Sequence, residues 1–301
     1  MKTNNLIIIL GPTAVGKTKI STLLSEKIKC PILSCDSRQF YKELNIGTDK
    51  PEKKIRKKIK HYFIDSLSLD QEYNVGQFEK DSINLLNILF KKNKNIIMVG
   101  GSGLYINSIC KGIDEMPKVN VKIREKLNKI YKKQGIEYFQ NILKQKDPDF
   151  YKTVDKKNHQ RLIRATEILI QTKKTFSSFR KGKKKKRDFN IILIGIKDKK
   201  ENLYIKINKR VEKMIKKGLI EEAKKLYIYK NKNSMQTIGY KEAFMYLDGE
   251  IDKKKCIEMI KRNTRRYSKR QMTWFNKMKS VKWFLNTEEK SIHDYLINQI
   301  N

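Results

Sequence analysis

Apolar and polar residues alternate along the first part of the chain with the periods of strands and helices. Short apolar runs predict strands at 6–10, 31–35, 61–65 and 95–99, and amphipathic segments predict helices at 16–29, 75–92 and 104–111. A strand buried on both faces reads as one continuous apolar run, as Leu6 to Leu10 does. Regular alternation of strand and helix therefore predicts a parallel sheet covered by helices.

The pattern changes after residue 112. Helical segments at 121–133, 136–144 and 158–171 follow one another without a strand. Strand character returns at 189–196, and the remainder predicts helices at 203–217, 220–229 and 254–276, a turn at 234–239 and a last strand at 281–285. We therefore predict an α/β core formed by residues 1–112 and 188–301, interrupted by a mainly helical insertion domain at 113–187.

A phosphate-binding motif lies between the first predicted strand and helix. It consists of Gly11, Pro12, Thr13, Ala14, Val15, Gly16, Lys17 and Thr18. In this spacing the glycines let backbone N–H groups turn toward an anion, Lys17 adds a positive charge, and Thr18 offers a hydroxyl to a phosphate-bound Mg²⁺. The following helix directs the positive end of its dipole to the same place. The sequence thus predicts a P-loop NTPase-like fold that binds a polyphosphate, with Mg²⁺ as the only metal.

A polar cluster follows the second predicted strand. Asp36, Ser37, Arg38 and Gln39 reach the same sheet edge as the phosphate motif. Asp36 suits a Mg²⁺ ligand or a general base, and an aspartate that only caps a turn is the alternative. Arginine and glutamine suit contacts with phosphates and base edges. The strand at 95–99 ends in a glycine-rich turn, residues 100–103, instead of an acid; this weakens the case for hydrolysis and favours close approach of a ligand or a tight turn.

The formal charge of +37, from 69 Lys and Arg against 32 Asp and Glu, is consistent with a nucleic-acid partner. A compositional bias toward lysine, isoleucine and asparagine explains it equally well. Two clusters are more specific: residues 158–167, where Gln160 and Arg164 share a helix face, and residues 262–275, where arginines interleave with aromatic residues. Each of these two patterns is also typical of an ordinary solvated or amphipathic helix that contacts no nucleic acid. The basic run at 180–187 suits a solvated loop or a phosphate-backbone contact.

Other features exclude several classes of protein. The four cysteines and three histidines have neither metal nor disulfide spacing. No apolar run reaches the length of a membrane span, and the chain passes directly from its first residues into the first predicted strand, which leaves no room for a signal peptide. We therefore expect a cytoplasmic enzyme with no membrane contact.

Taken together, these segments resemble the tRNA dimethylallyltransferase family, also called tRNA isopentenyltransferase, in its bacterial form. Seven motifs carry the resemblance, in order: 11–18, 36–39, 45–51, 100–105, 158–164, 236–242 and 266–275. The resemblance implies transfer of a dimethylallyl group from dimethylallyl diphosphate to N6 of the adenine next to the anticodon, position 37, in tRNAs that read codons beginning with U. One alternative is an adenylate isopentenyltransferase or a nucleotide kinase on the same scaffold, which the insertion and the basic helix disfavour. Another is a non-catalytic phosphate-loop RNA-binding protein, against which Asp36 beside the intact loop argues.

The resemblance also implies roles for individual residues. Asp36, with Thr18 and Lys17, would be catalytic. Arg210 would join residues 11–18 in binding the diphosphate, and Thr18 would contact the Mg²⁺ that the diphosphate carries. The implied tRNA contacts are Asp36, Ser37, Arg38, Gln39, Ser102, Arg124, Gln160, Arg161, Leu162, Ile163 and Arg164. The insertion would clamp the anticodon stem-loop, and we expect a monomer without an obligate protein partner. An arginine expected from the family appears as Lys206, which keeps the charge and loses the bidentate fork.

Overall fold

The computed structural model describes residues 4–182 and 184–300. The first segment contains β1 (Asn5–Leu10), α1 (Lys17–Ile28), β2 (Ile32–Ser34), α2 (Lys53–Lys58), β3 (His61–Tyr62), α3 (Val75–Leu89), β4 (Asn95–Gly100) and α4 (Gly103–Lys111). The middle segment contains α5 (Val121–Gln134), α6 (Glu137–Lys146), α7 (Pro148–Thr153), α8 (His159–Thr172) and α9 (Phe176–Phe179). The last contains β5 (Asn190–Lys197), α10 (Lys200–Lys216), α11 (Leu219–Lys225), α12 (Tyr240–Leu247), α13 (Lys253–Phe275), β6 (Lys282–Leu285) and α14 (Glu289–Ile300).

Within the described residues, the strands form one six-stranded sheet in the order β3-β2-β4-β1-β5-β6. All paired strands are parallel, and β1 lies between β4 and β5 with Ile7 opposite Ile97 and Ile192. Parallel strands end at a common edge, so the segments that follow β1, β2 and β4 converge there. The predicted α/β class, a parallel sheet flanked by helices, is confirmed.

The central strand explains why the sheet is buried on both sides. Every residue of β1 is buried, and its side chains alternate between two apolar layers. Leu6, Ile8 and Leu10 pack in one layer, whereas Ile7 and Ile9 pack in the other. A strand of this kind needs apolar residues at every position, which is why it appears in the sequence as an uninterrupted run.

The chain divides into two compact units, Met1–Cys110 with Lys186–Asn301, and Lys111–Lys185. The second unit is helical, and its core includes Leu127 from α5, Phe139 and Leu143 from α6, and Leu162 from α8. Asp147 begins α7 by accepting a hydrogen bond from the Phe150 N–H, with Pro148 at the first helical position.

Several elements differ from the sequence prediction. The strand predicted at 61–65 ends at Tyr62, because Phe63 and Asp65 have φ angles of 58° and 55°, which a strand cannot contain. The helix predicted at 220–229 ends at Lys225 and is followed by a 3₁₀ turn. The helices α2, α7, α9, α12 and α14 were not predicted individually; most are short, and α2 is a run of five basic residues and one isoleucine with no apolar stripe.

Candidate active site

The phosphate-binding motif forms the loop between β1 and α1. Gly11 has a φ angle of 150°, and a Cβ atom there would overlap the Ile196 carbonyl oxygen on neighbouring β5. Gly16 is in the left-handed region, with φ 104°, immediately before α1. Lys17 folds back over the loop and donates from Nζ to the Pro12 carbonyl at 2.7 Å. These contacts and φ angles define a compact loop around the Lys17 side chain.

The electrostatics of Lys17 suit an anion. Burial, followed by the nearby Arg210 guanidinium, lowers the pKa of Lys17 to about 7, while Asp36 and Asp49 oppose the shift. A diphosphate beside Lys17 would favour its charged form and reverse this shift. Binding of an anion and protonation of Lys17 are consequently linked.

Two basic residues of α10 complete the phosphate side of the site. Arg210 donates from Nη1 to the Thr13 hydroxyl at 3.1 Å and lies 3.3 Å from Asp49 Oδ2. Lys206, one helical turn away, pairs with Asp198 at 2.6 Å. Asn286 also donates to Asp198 and to the Val15 carbonyl, both at 3.1 Å. Lys206 thus lies beside the loop with its ammonium held by a carboxylate.

A glutamine from α13 joins the phosphate loop to the glycine-rich turn after β4. The Thr13 N–H donates to Gln271 Oε1, and Gln271 Nε2 donates to the Gly101 carbonyl, each at 2.9 Å. A Cβ atom at Gly101 would overlap the Gln271 amide, and one at Gly103 would overlap the Trp274 ring. The lack of side chains at Gly101 and Gly103 therefore allows α13 to pack against this turn. The sequence pattern did not single out Gln271, because the Thr13 contact spans 258 residues.

Asp36 lies in the turn after β2. Its Oδ1 accepts the Arg38 N–H at 3.0 Å, and its own N–H donates to the Ser34 hydroxyl at 3.3 Å. Gln39 is fixed within the protein, because its amide contacts Ser34 Oγ at 3.0 Å and the Thr48 carbonyl at 3.2 Å. The half-buried Asp36 retains a second carboxylate oxygen for other contacts.

Two adjoining cavities share Asp36 as a lining residue. The first, of about 360 Å³, is lined by the phosphate loop and by basic residues that include Lys17, Lys206, Arg210 and Lys213. The second, of about 310 Å³, is lined by Ser37, Arg38 and Arg270, by the segment 236–239, and by apolar residues of α10 and α13. Thr13, Thr48, Arg210 and Tyr267 also border both cavities.

Tyr267 brings a hydroxyl to this junction. Burial, followed by the nearby Asp36 carboxylate, raises the pKa of Tyr267 to about 12, while Arg38, Arg270 and the predicted site residue Ser102 oppose the shift. The hydroxyl is therefore protonated at neutral pH and can donate a hydrogen bond. In the sequence Tyr267 is one aromatic residue among several in a basic helix, and no local pattern indicates its position at this junction.

The other predicted tRNA contacts lie in the helical unit. Glu167 is buried, and it pairs with Arg124 and Arg164; Arg164 also donates to the Pro117 carbonyl. Gln160 and Arg161 are exposed. Leu162 and Ile163 are 0% and 3% exposed, and their side chains pack in the core of this unit and anchor α8. A tRNA contact at these two positions stays a prediction.

The basic run at 180–187 is partly fixed by internal contacts. Arg187 donates to the Ile109 and Ser108 carbonyls and to Glu79 Oε1, each at 2.8 Å. The Lys185 N–H donates to the Lys111 carbonyl at 2.9 Å. Lys183 lies outside the described residues. The end of the run thus has a structural role. For the rest of the run, a solvated loop and a contact with a phosphate backbone both stay open.

The oxygen donors of the first cavity fit a magnesium ion that arrives with a phosphate ligand. Thr18 is exposed to this cavity, and the carboxylates of Asp36 and Asp49 also line it. Among the residues that the structure describes, no group of three or more His, Cys, Asp or Glu side chains could hold a metal alone. In the same part of the chain, no helix is long and apolar enough to cross a bilayer.

Comparison with known proteins agrees with this geometry. The family model described as IPP transferase matches residues 39–278. Two similar relatives are the tRNA dimethylallyltransferase of Christiangramia forsetii, 48% identical over 299 residues with 99% of each chain covered, and tRNA dimethylallyltransferase 1 of Bacteroides fragilis, 44% identical over 296 residues with 98% of each covered.

Solved structures show the same likeness. The full-length tRNA isopentenylpyrophosphate transferase of Bacillus halodurans is 31% identical, with a TM-score of 0.73 and coverage of 99% of this chain and 97% of that one. A eukaryotic dimethylallyltransferase described as acting on tRNA is 26% identical, with a TM-score of 0.78 and coverage of 95% and 75%. With a phosphate loop, a carboxylate beside it and full-length similarity, the chain belongs to the IPP transferase family.

Proposed function

We propose that this protein transfers a dimethylallyl group from dimethylallyl diphosphate to N6 of adenine 37 in tRNAs that read codons beginning with U. The observation that carries the proposal is the position of Asp36, which borders both the basic cavity of the phosphate loop and the second cavity. The diphosphate would occupy the first cavity, and the adenine would reach Asp36 from the second. An adenine stacked inside an anticodon loop must be flipped out to enter such a site.

The proposed reaction replaces one bond to the dimethylallyl carbon C1. The N6–C1 bond forms as the bond between C1 and the diphosphate oxygen breaks, and the diphosphate leaves with the bonding electrons. Asp36 accepts the proton that N6 loses, or holds the amine by a hydrogen bond during attack. The Asp36 contacts with Arg38 and Ser34 fix its turn, so the carboxylate is oriented before the substrate binds.

The phosphate side stabilises the leaving group. Lys17, Arg210 and the loop N–H groups supply positive charge where the diphosphate gains negative charge. Mg²⁺ bound with the diphosphate, with Thr18 as its protein ligand, would neutralise further charge. The Lys17 pKa of about 7 means that the diphosphate itself secures the charged form of this lysine.

We assign the contacts with tRNA to exposed polar residues. Ser37 and Arg38 line the second cavity, and Gln160 and Arg161 are exposed on α8. Arg124 and Arg164 would orient α8 through Glu167, and the helical unit would clamp the anticodon stem-loop. The net charge of +37 favours association with RNA at any of these surfaces. We further propose that the protein acts as a monomer in the cytoplasm.

The test is a transfer assay. The protein is incubated with labelled dimethylallyl diphosphate, Mg²⁺ and unmodified tRNA, and label is counted in RNA and mapped to one nucleotide. We expect label at adenine 37, and none in a tRNA with guanine there. Transfer to AMP without transfer to tRNA would instead support an adenylate isopentenyltransferase. Binding of RNA without transfer of label would contradict the proposed reaction.

A further inference from the structure

Gln271 is a buried amide whose hydrogen bonds connect two parts of the proposed site. It is 6% exposed, and its oxygen and nitrogen contact backbone groups that follow two adjacent strands, β1 and β4. The orientation of the amide is determined by its partners, because an N–H must face the oxygen and a carbonyl must face the nitrogen. A side chain at this position therefore needs one acceptor and one donor at its end, which the glutamine amide provides without a change of protonation state.

The residues around this amide have little freedom. Thr13 is held from two sides, by Gln271 at its N–H and by Arg210 at its hydroxyl. A Cβ atom at Gly100 would lie 2.6 Å from the Cys35 carbonyl oxygen, so the glycine-rich turn packs directly on the strand end that leads to Asp36. One continuous path of contacts therefore runs from the phosphate loop through Gln271 and the turn to Asp36.

We propose that Gln271 is a positioning residue that sets the separation between the phosphate loop and Asp36. This inference rests on the proposed function, since it assigns the diphosphate to one end of the path and the attacking amine to the other. Without the amide, the loop and the turn lose their common partner, and the half-buried Thr13 N–H and the buried Gly101 carbonyl lose their hydrogen bonds to it. A misplacement of about 1 Å between reacting groups costs on the order of 10- to 100-fold in rate.

The experiment compares Gln271→Ala and Gln271→Glu with the wild type, using the full chain and tRNA in the transfer assay. At temperatures well below unfolding, we expect kcat of Gln271→Ala to fall about 10- to 100-fold while the KM for tRNA changes less than about twofold. Asn263→Ala is the matched control, since it removes another amide of α13, one that donates to Glu242 at 2.7 Å. This control should lower the melting temperature with little effect on kcat.

The glutamate variant gives a readout that general loss of packing does not predict. A buried carboxyl has a raised pKa, and its protonated form can accept from Thr13 N–H and donate to the Gly101 carbonyl as the amide does. We expect the kcat of Gln271→Glu, divided by that of the wild type, to rise as pH falls from about 8 to about 6, with no such rise for Gln271→Ala.

Two outcomes would overturn the inference. One is a kcat for Gln271→Ala no lower than that of Asn263→Ala, and the other is a flat pH ratio for a folded Gln271→Glu enzyme. Failure of the proposed function looks different, because the wild type itself would then transfer no label to tRNA. In that case binding of inorganic diphosphate with Mg²⁺, measured by calorimetry, still tests whether Gln271→Ala disturbs the loop.

Discussion

Arg210 donates from Nη1 to the Thr13 hydroxyl at 3.1 Å, which places a guanidinium of α10 against a loop residue 197 positions earlier in the chain. The same guanidinium lies 3.3 Å from Asp49. A planar group with several fixed donors can contact Thr13, Asp49 and a phosphate together, whereas an ammonium is a single point charge. The charge and the geometry of Arg210 are therefore separate contributions.

Arg210→Lys tests the geometric contribution. We expect the KM for dimethylallyl diphosphate to rise roughly tenfold, equivalent to about 1.4 kcal/mol, with the KM for tRNA nearly unchanged. Steady-state kinetics with each substrate varied in turn measures this. Lys209→Ala is the charge control, because Lys209 is exposed on the same helix. An unchanged KM for the diphosphate in Arg210→Lys would show that the fork is not used.

Asp36→Asn tests the proposed general base. The asparagine keeps an oxygen to accept the Arg38 N–H, so the turn is retained, but it cannot take a proton from N6. We expect turnover to fall by about 10²-fold or more while tRNA affinity stays close to that of the wild type. Single-turnover transfer measures the rate of the chemical step, and filter binding measures the affinity for tRNA. A near-normal rate would remove the proton-acceptor role from Asp36.

The lowered pKa of Lys17 predicts a pH dependence of diphosphate binding. In the free protein Lys17 loses its proton as pH rises through about 7, so affinity for dimethylallyl diphosphate should fall between about pH 7 and about pH 9. Isothermal titration calorimetry measures this. Lys17→Arg should bind with a flatter profile, because a guanidinium stays charged over this range.

Stability responds to Lys17 in the opposite direction. The unfolded chain holds the Lys17 proton more tightly than the folded one, so this group adds stability as pH rises from about 7 toward the ordinary value of 10.5. Loss of affinity at high pH therefore cannot be attributed to unfolding caused by this lysine. If the affinity for dimethylallyl diphosphate changed with pH in the same way in the wild type and in Lys17→Arg, the proposed link between Lys17 protonation and diphosphate binding would be contradicted.

Arg161 and Arg164 form a matched pair on α8 with different expected roles. Arg164 pairs with buried Glu167, so Arg164→Ala should lower the free energy of unfolding by about 2 kcal/mol, less than for a carboxylate left without any partner because Arg124 remains. Arg161 is exposed, so Arg161→Ala should leave stability unchanged and reduce the salt dependence of tRNA binding by about one unit of slope.

Thermal denaturation measures the stability of both variants, and tRNA binding over a range of salt concentrations measures the salt slope of each. If Arg161→Ala left the salt slope unchanged, α8 would have no phosphate contact at this position. If Arg164→Ala matched the wild type in stability, the ion pair with Glu167 would contribute little to the helical unit.

Features that depend on local spacing can be predicted from the sequence of this protein. The phosphate loop needs only a strand, eight residues and a helix in order, and all three appear in the pattern of residues 5–28. Features that depend on how helices and strands pack together cannot be predicted in this way. Leu162 and Ile163 belong to a polar-looking motif, yet they face the core, because a helix of 14 residues must bury one side.

By itself the sequence determined the parallel α/β fold, the phosphate loop and the family, because strand and helix periods and short motifs are properties of neighbouring residues. Only the tertiary structure decided that Asp36 borders two cavities, that Arg164 serves Glu167, and that Gln271 holds Thr13 and Gly101. These relationships depend on which side chains meet when the sheet edge assembles. The Gln271 and Thr13 partners are 258 residues apart, and no local pattern specifies such a contact.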